Sequence, residues 1–151
     1  MESREELVEP FTSSVIVTLR EMAGVEAAVR ATTHTTGQDE FSDLSAVLRL
    51  LAANDGYLVL SFPTATATAL AERVLHGTAD VNADMIHDCV GELVNVVAGQ
   101  AKALLFGTPG HFTLSTPKVV MGVPELLAEP HWVVMFVSDV GEFRLHVQLP
   151  R

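Results

Sequence analysis

The longest regular pattern in the chain runs from Asp80 to Phe106. There Met85, Ile86, Cys89, Val90, Leu93, Val96, Val97, Leu104 and Leu105 recur at helical spacing. They predict one amphipathic helix whose broad apolar stripe packs on a core. Asn82 stands where an N-cap is wanted, Asp84 places negative charge in the first turn, and Gly107 with Pro109 ends the run. Glu5–Ala23 predicts an earlier helix, with Leu7, Val8, Phe11, Val15, Ile16, Leu19 and Met22 on one side and Gly24 as its stop. Pro10 is awkward inside that helix and fits better in its first turn. Thr64–Leu75 predicts a further helix that stops near Gly77.

The remaining segments carry strand patterns. Val25–Thr36 alternates loosely and is rich in threonine, and Gly37–Asp43 is a polar loop. Ser45–Ala53 and Tyr57–Phe62 flank Asn54-Asp55-Gly56 and read as a hairpin, the Asp-Gly pair supplying the positive φ angles of a tight reversal. His111–Met121 reads as one strand, and Gly122–Pro130 as a connection with two prolines. Trp132–Ser138 and Glu142–Leu149 form a second hairpin around Asp139-Val140-Gly141. Tight turns between strands imply antiparallel pairing. The expectation is an α+β fold, a six-stranded antiparallel sheet with long helices packed on one face. The two halves, each a long helix followed by strands, read as a degenerate repeat.

Composition narrows the class. A chain of 151 residues is expected to form a single domain, residues 1–151, with a substantial core. A hydrophobic fraction of 48% against 19% charged residues describes a folded protein, not a disordered one. The net charge of −10 disfavours nucleic acid as a partner. The single cysteine, Cys89, leaves no internal disulfide, and its place on the buried arc reads as an inert core thiol. The N-terminal MESREELVEP is acidic and polar, and no apolar run reaches membrane-spanning length, so the expected location is the cytoplasm, with no membrane partner.

The polar face of the Asp80–Phe106 helix holds the candidate chemistry. At about 100° per residue, Asp88, Glu92, Asn95 and Gly99 fall within about 60° of arc, with Gly91 beside them and Lys102 continuing the line. Each interior glycine costs about 1 kcal/mol relative to alanine, so two of them need a reason. Close packing is one. A surface that admits another molecule's backbone is the other, and their position away from the Val and Leu stripe favours it. An Asp, a Glu and an Asn on a helix are otherwise most often a solvated face. The six histidines are scattered without a paired helical spacing for metal, and the serines lack a nucleophile elbow.

The pattern Asp88-x-x-x-Glu92-x-x-Asn95-x-x-x-Gly99 resembles the signature helix of the CheX/CheC/FliY chemotaxis phosphatases. The resemblance covers most of the chain, because the order of segments also fits, and the degenerate repeat of halves is what a CheC-like fold shows. It implies hydrolysis of the aspartyl-phosphate on a CheY-like response-regulator receiver. Asn95 would position the attacking water, and Glu92 would pair with the receiver's lysine. Asp88, Gly91 and Gly99 would belong to the partner-binding surface. The chain would hold no cofactor of its own, the receiver supplying Mg²⁺. Two-site members carry a second Glu-x-x-Asn in the first helix, where this chain reads Glu9-Pro10-Phe11-Thr12. That departure resembles CheX, a single-site homodimer. The alternatives are a non-catalytic module that recognises a receiver through the same face, and a purely structural dimerisation domain.

Overall fold

The computed structural model describes residues 6–35, 43–76, 80–107, 112–121 and 130–150. Within them the order is α1 (Glu9–Ala23), β1 (Ala27–Thr35), β2 (Leu44–Leu51), β3 (Gly56–Phe62), α2 (Thr64–Val74) and α3 (Ala83–Leu104). Four strands follow, β4 (Thr113–Leu114), β5 (Lys118–Met121), β6 (His131–Ser138) and β7 (Phe143–Gln148). The loop at Gly37–Asp43, apart from Asp43, lies outside the described residues. So do Gly77–Ala79 before α3 and the connection 122–129.

All strand pairs are antiparallel, in the order β1-β6-β7-β3-β2, with β4 and β5 both pairing the far side of β2. The fold is therefore α+β as the pattern implies, with seven strands in place of six. The expected strand His111–Met121 is interrupted at Ser115–Pro117, and Pro117 has no N–H to give a ladder. Ser115 bridges the gap. Its N–H donates to the Arg49 carbonyl at 3.1 Å, and its Oγ accepts from the Arg49 N–H at 2.8 Å.

α1 begins four residues later than expected, with Pro10 in the first turn, where the missing N–H is not needed. It ends as expected at Gly24, which adopts φ 64° so that its N–H and that of Val25 reach back to Arg20 and Leu19 carbonyls. Gly56 corrects an expectation, since it does not adopt positive φ. A Cβ there would stand 2.1 Å from the Gln148 carbonyl oxygen of β7, so glycine allows close approach of a neighbouring strand. The turn itself is held by Asp55, whose carboxylate accepts from the Ala52 N–H and pairs with Arg49.

The core lies between the helices and one face of the sheet. Leu44, Ala46, Leu48 and Leu50 of β2, Leu58, Leu60 and Phe62 of β3, and Phe143, Leu145 and Val147 of β7 join Phe11, Leu70, Leu93 and Val97 in one cluster. Alternate positions Val47 and Val59 form a second small cluster, as the two-residue period of a strand requires. That side also buries His131 and His146, with Nδ1 of His146 3.3 Å from Nε2 of His131. Burial, reinforced by the charges of His131 and Arg144, pushes the His146 imidazole down to about 3. It is an uncharged core side chain at neutral pH.

Candidate functional site

α3 presents the site, and its ends are fixed by local chemistry. Asn82 Oδ1 accepts from the Met85 N–H at 2.9 Å, the expected N-cap, and Gly107 at φ 78° follows the last turn. Cys89, Val90, Leu93, Val94, Val97, Ala98 and Ala101 are buried, locking the helix onto α1, α2 and the sheet. Leu104, assigned to the apolar stripe from the sequence, is instead 60% exposed in the last turn.

Asp88, Glu92, Asn95 and Gly99 are all exposed, on one line about 16 Å long at the helical rise. The structure brings these four together as the pattern predicts. Among the described residues none of the three side chains is in a hydrogen bond or ion pair. Asp88 and Glu92 are like charges four residues apart, an arrangement that costs a helix about 0.2–0.5 kcal/mol. Position 96, where a cation could neutralise Glu92, is Val96. The line is thus held rigid by its buried side and left unpartnered on its open side. An amide and two carboxylates so placed can accept from water, donate to an oxyanion and receive a cation.

The two glycines separate, which corrects the reading of both as exposed surface. Gly91 is buried, and a Cβ built on it would stand 3.4 Å from Val119 Cγ2 of β5. It sits at the flank of the polar arc, and β5 occupies that flank. A methyl group there would make ordinary contact with β5, so Gly91 is covered by the sheet edge and offers no open surface to a partner. Gly99 has nothing within 4 Å of its would-be Cβ. Gly99→Ala is therefore expected to raise stability by about 0.5–1 kcal/mol through helix propensity. Gly91→Leu is expected to cost about 1–3 kcal/mol by overpacking against β5. Thermal melts of both variants check this, and a destabilised Gly99→Ala would overturn the assignment.

Beside Asp88 and Glu92 lies an open hollow of about 280 Å³, walled by Met22, Val74, Leu75, Met85 and Cys89. Nothing in the linear pattern signals it, because its walls come from three helices. Burial pushes the Cys89 thiol up to about 11, so it is an apolar wall at neutral pH and not a nucleophile. A further unread feature is Asp43, whose carboxylate accepts from the Thr64 N–H at 2.9 Å and Oγ1 at 3.1 Å. These bonds hold Asp43 below the usual carboxylate range and cap α2 from 21 residues away.

Residues 44–139 match the family model described as chemotaxis phosphatase CheX. The chain belongs to the CheX family. Its fold is similar to CheX from Desulfovibrio desulfuricans, at 26% identity, with 95% of this chain and 99% of that one covered and a TM-score of 0.85. CheX from Vibrio vulnificus aligns over 94% of this chain and 97% of its own, at 24% identity and a TM-score of 0.80. The CheX-CheY-BeF3-Mg²⁺ complex from Borrelia burgdorferi shares the fold at 16% identity and a TM-score of 0.72, over 95% and 97% of the two chains. No curated protein sequence matches the chain. No helix among the described residues is long and apolar enough to cross a membrane.

Proposed function

We propose that this CheX-family protein dephosphorylates the aspartyl-phosphate of a CheY-like receiver in the cytoplasm, with Asn95 and Glu92 of α3 as its working residues. The observation that carries the reading is the exposed line Asp88-Glu92-Asn95-Gly99 on a helix capped by Asn82 and packed on its opposite side through Cys89, Val90, Leu93, Val94, Val97, Ala98 and Ala101. In the reaction, water attacks phosphorus in line, the bond from phosphorus to the acyl oxygen breaks, and the receiver's aspartate leaves as a carboxylate. The receiver supplies Mg²⁺ and a lysine to its own phosphoryl group. What the reaction still needs is a water held in line. The Asn95 amide oxygen accepts from that water, while its NH₂ donates to a phosphoryl oxygen. Glu92 pairs with the receiver's lysine, and Asp88, one turn earlier, widens the acceptor surface. Gly99 lets the partner's backbone approach α3. Neither carboxylate acts as a general acid.

The test is phosphate release from phosphorylated receivers mixed with the purified protein. Release no faster than receiver self-hydrolysis, alongside measurable binding, would establish a non-catalytic receiver-binding module in its place. We also read the protein as a homodimer with one site per chain, because the α1 position comparable to the motif holds Phe11 and Thr12, both buried. Light scattering is expected to give about twice the chain mass of 16.2 kDa. A monomer would sink the dimer while leaving the chemistry intact.

A further inference from the structure

We propose that the hollow beside Glu92 takes an apolar side chain that the partner presents next to the cation paired by Glu92. This deepens the receiver-phosphatase reading and rests on it, because it specifies how the partner is selected at the same face. The hollow lies where the last turns of α1 and α2 meet the first half of α3. Its wall is entirely apolar and its rim is two carboxylates, Asp88 and Glu92. An occupant must therefore match both parts. A bare cation would leave water against the apolar wall, and an acidic or neutral polar group would stand against two negative charges. An apolar side chain with a lysine or arginine beside it satisfies the wall and the rim together.

Two further features favour this occupant. Met22 and Met85 are unbranched and adaptable, so the wall can close around side chains of different shape. Neither rim carboxylate has a cation among the described residues, so no internal ion pair has to be broken when the partner arrives. A hollow between α1 and α3, lined by Ser13, Ser14, Val17, Gln100, Ala103 and Leu104, has no charged rim, and one between α2 and α3 has no carboxylate on its lining. Charge complementarity singles out the first.

The test fills the hollow without touching Glu92 or Asn95. Val74 is half-buried at the end of α2, so Val74→Trp occupies the space from within. The probe is a CheY receiver of the source organism, loaded with beryllium fluoride and Mg²⁺, with the dissociation constant measured by calorimetry. Val74→Trp is expected to weaken binding about tenfold or more at an unchanged melting temperature, and the loss should appear in KM, not in the rate at saturation. If the tryptophan variant does not fold, Met85→Gln keeps the side-chain volume and makes the wall polar, and a loss of several-fold is expected. A folded variant that fills or polarises the hollow and binds as wild type does overturns the proposal. If that variant binds normally while Asn95→Ala still loses turnover, the receiver-phosphatase reading stands and the hollow alone falls. If no loaded receiver binds the wild-type protein, both fall.

Discussion

Asn95→Ala is expected to reduce stimulated dephosphorylation by about 10²-fold or more while the protein stays folded. The magnitude follows from positioning, since misplacing a reacting group by about 1 Å can cost that much. The fold is spared because the Asn95 side chain is exposed and bonded to no described residue. Alanine is also the better helix former, so the melting temperature is expected to hold or rise slightly. Binding of a beryllofluoride-loaded receiver should persist, since the amide acts on the water and not as the anchor. Phosphate release, circular dichroism and a binding isotherm measured on one preparation separate these effects. Full activity in the variant would remove Asn95 from the mechanism.

Glu92→Lys is expected to be the most damaging change to docking, and it carries an internal control. If docking buries Glu92 against a receiver lysine, losing one partner of that hydrogen-bonded charge pair costs about 2–5 kcal/mol, and reversal adds repulsion. Binding should weaken by roughly 30-fold or more, taking about 1.4 kcal/mol per factor of ten. Glu92→Gln should lose less. Within the chain the same reversal is favourable, because the Asp88–Glu92 repulsion becomes an i,i+4 attraction of about 0.2–0.5 kcal/mol. A variant that melts slightly higher yet docks far worse is the signature of an intermolecular pair. Added salt should weaken wild-type docking if the contact stays partly solvated. A Glu92→Lys protein that binds and turns over normally would exclude the ion pair.

What the sequence revealed and concealed follows from the range of the forces involved. The caps of α3 were legible because Asn82 and Gly107 act on backbone groups within a few residues. The exposed line was legible because four side chains on one helix need only the helical period. Gly91 was misread because its environment is Val119, on a strand that joins β2 28 residues later in the chain. The rotation of Gly91 relative to Asp88 was correct, but the wheel does not say which flank meets the sheet edge. Gly56 shows the same limit, since its neighbour Gln148 is brought in by the β3–β7 pairing. The hollow and the Asp43 cap of α2 were invisible for this reason too. Each is assembled from segments that meet only in the fold.

If α3 is the receiver-docking face, the packing of α1 bears on how many receivers one chain can serve. Phe11 stacks on Phe112 with ring centroids 5.8 Å apart, and Thr12 is buried with its hydroxyl donating to the Val8 carbonyl. Where a second working face could have opened, the first helix has turned its residues inward to hold the core. An asparagine written into position 12 would bury its amide instead of presenting it to water, and the cost of an unsatisfied polar group would fall on the fold. On that reading valency would come from assembly and not from motif duplication. On the proposed reading one chain offers one docking face among its described residues, and a second receiver would be engaged only by a second chain.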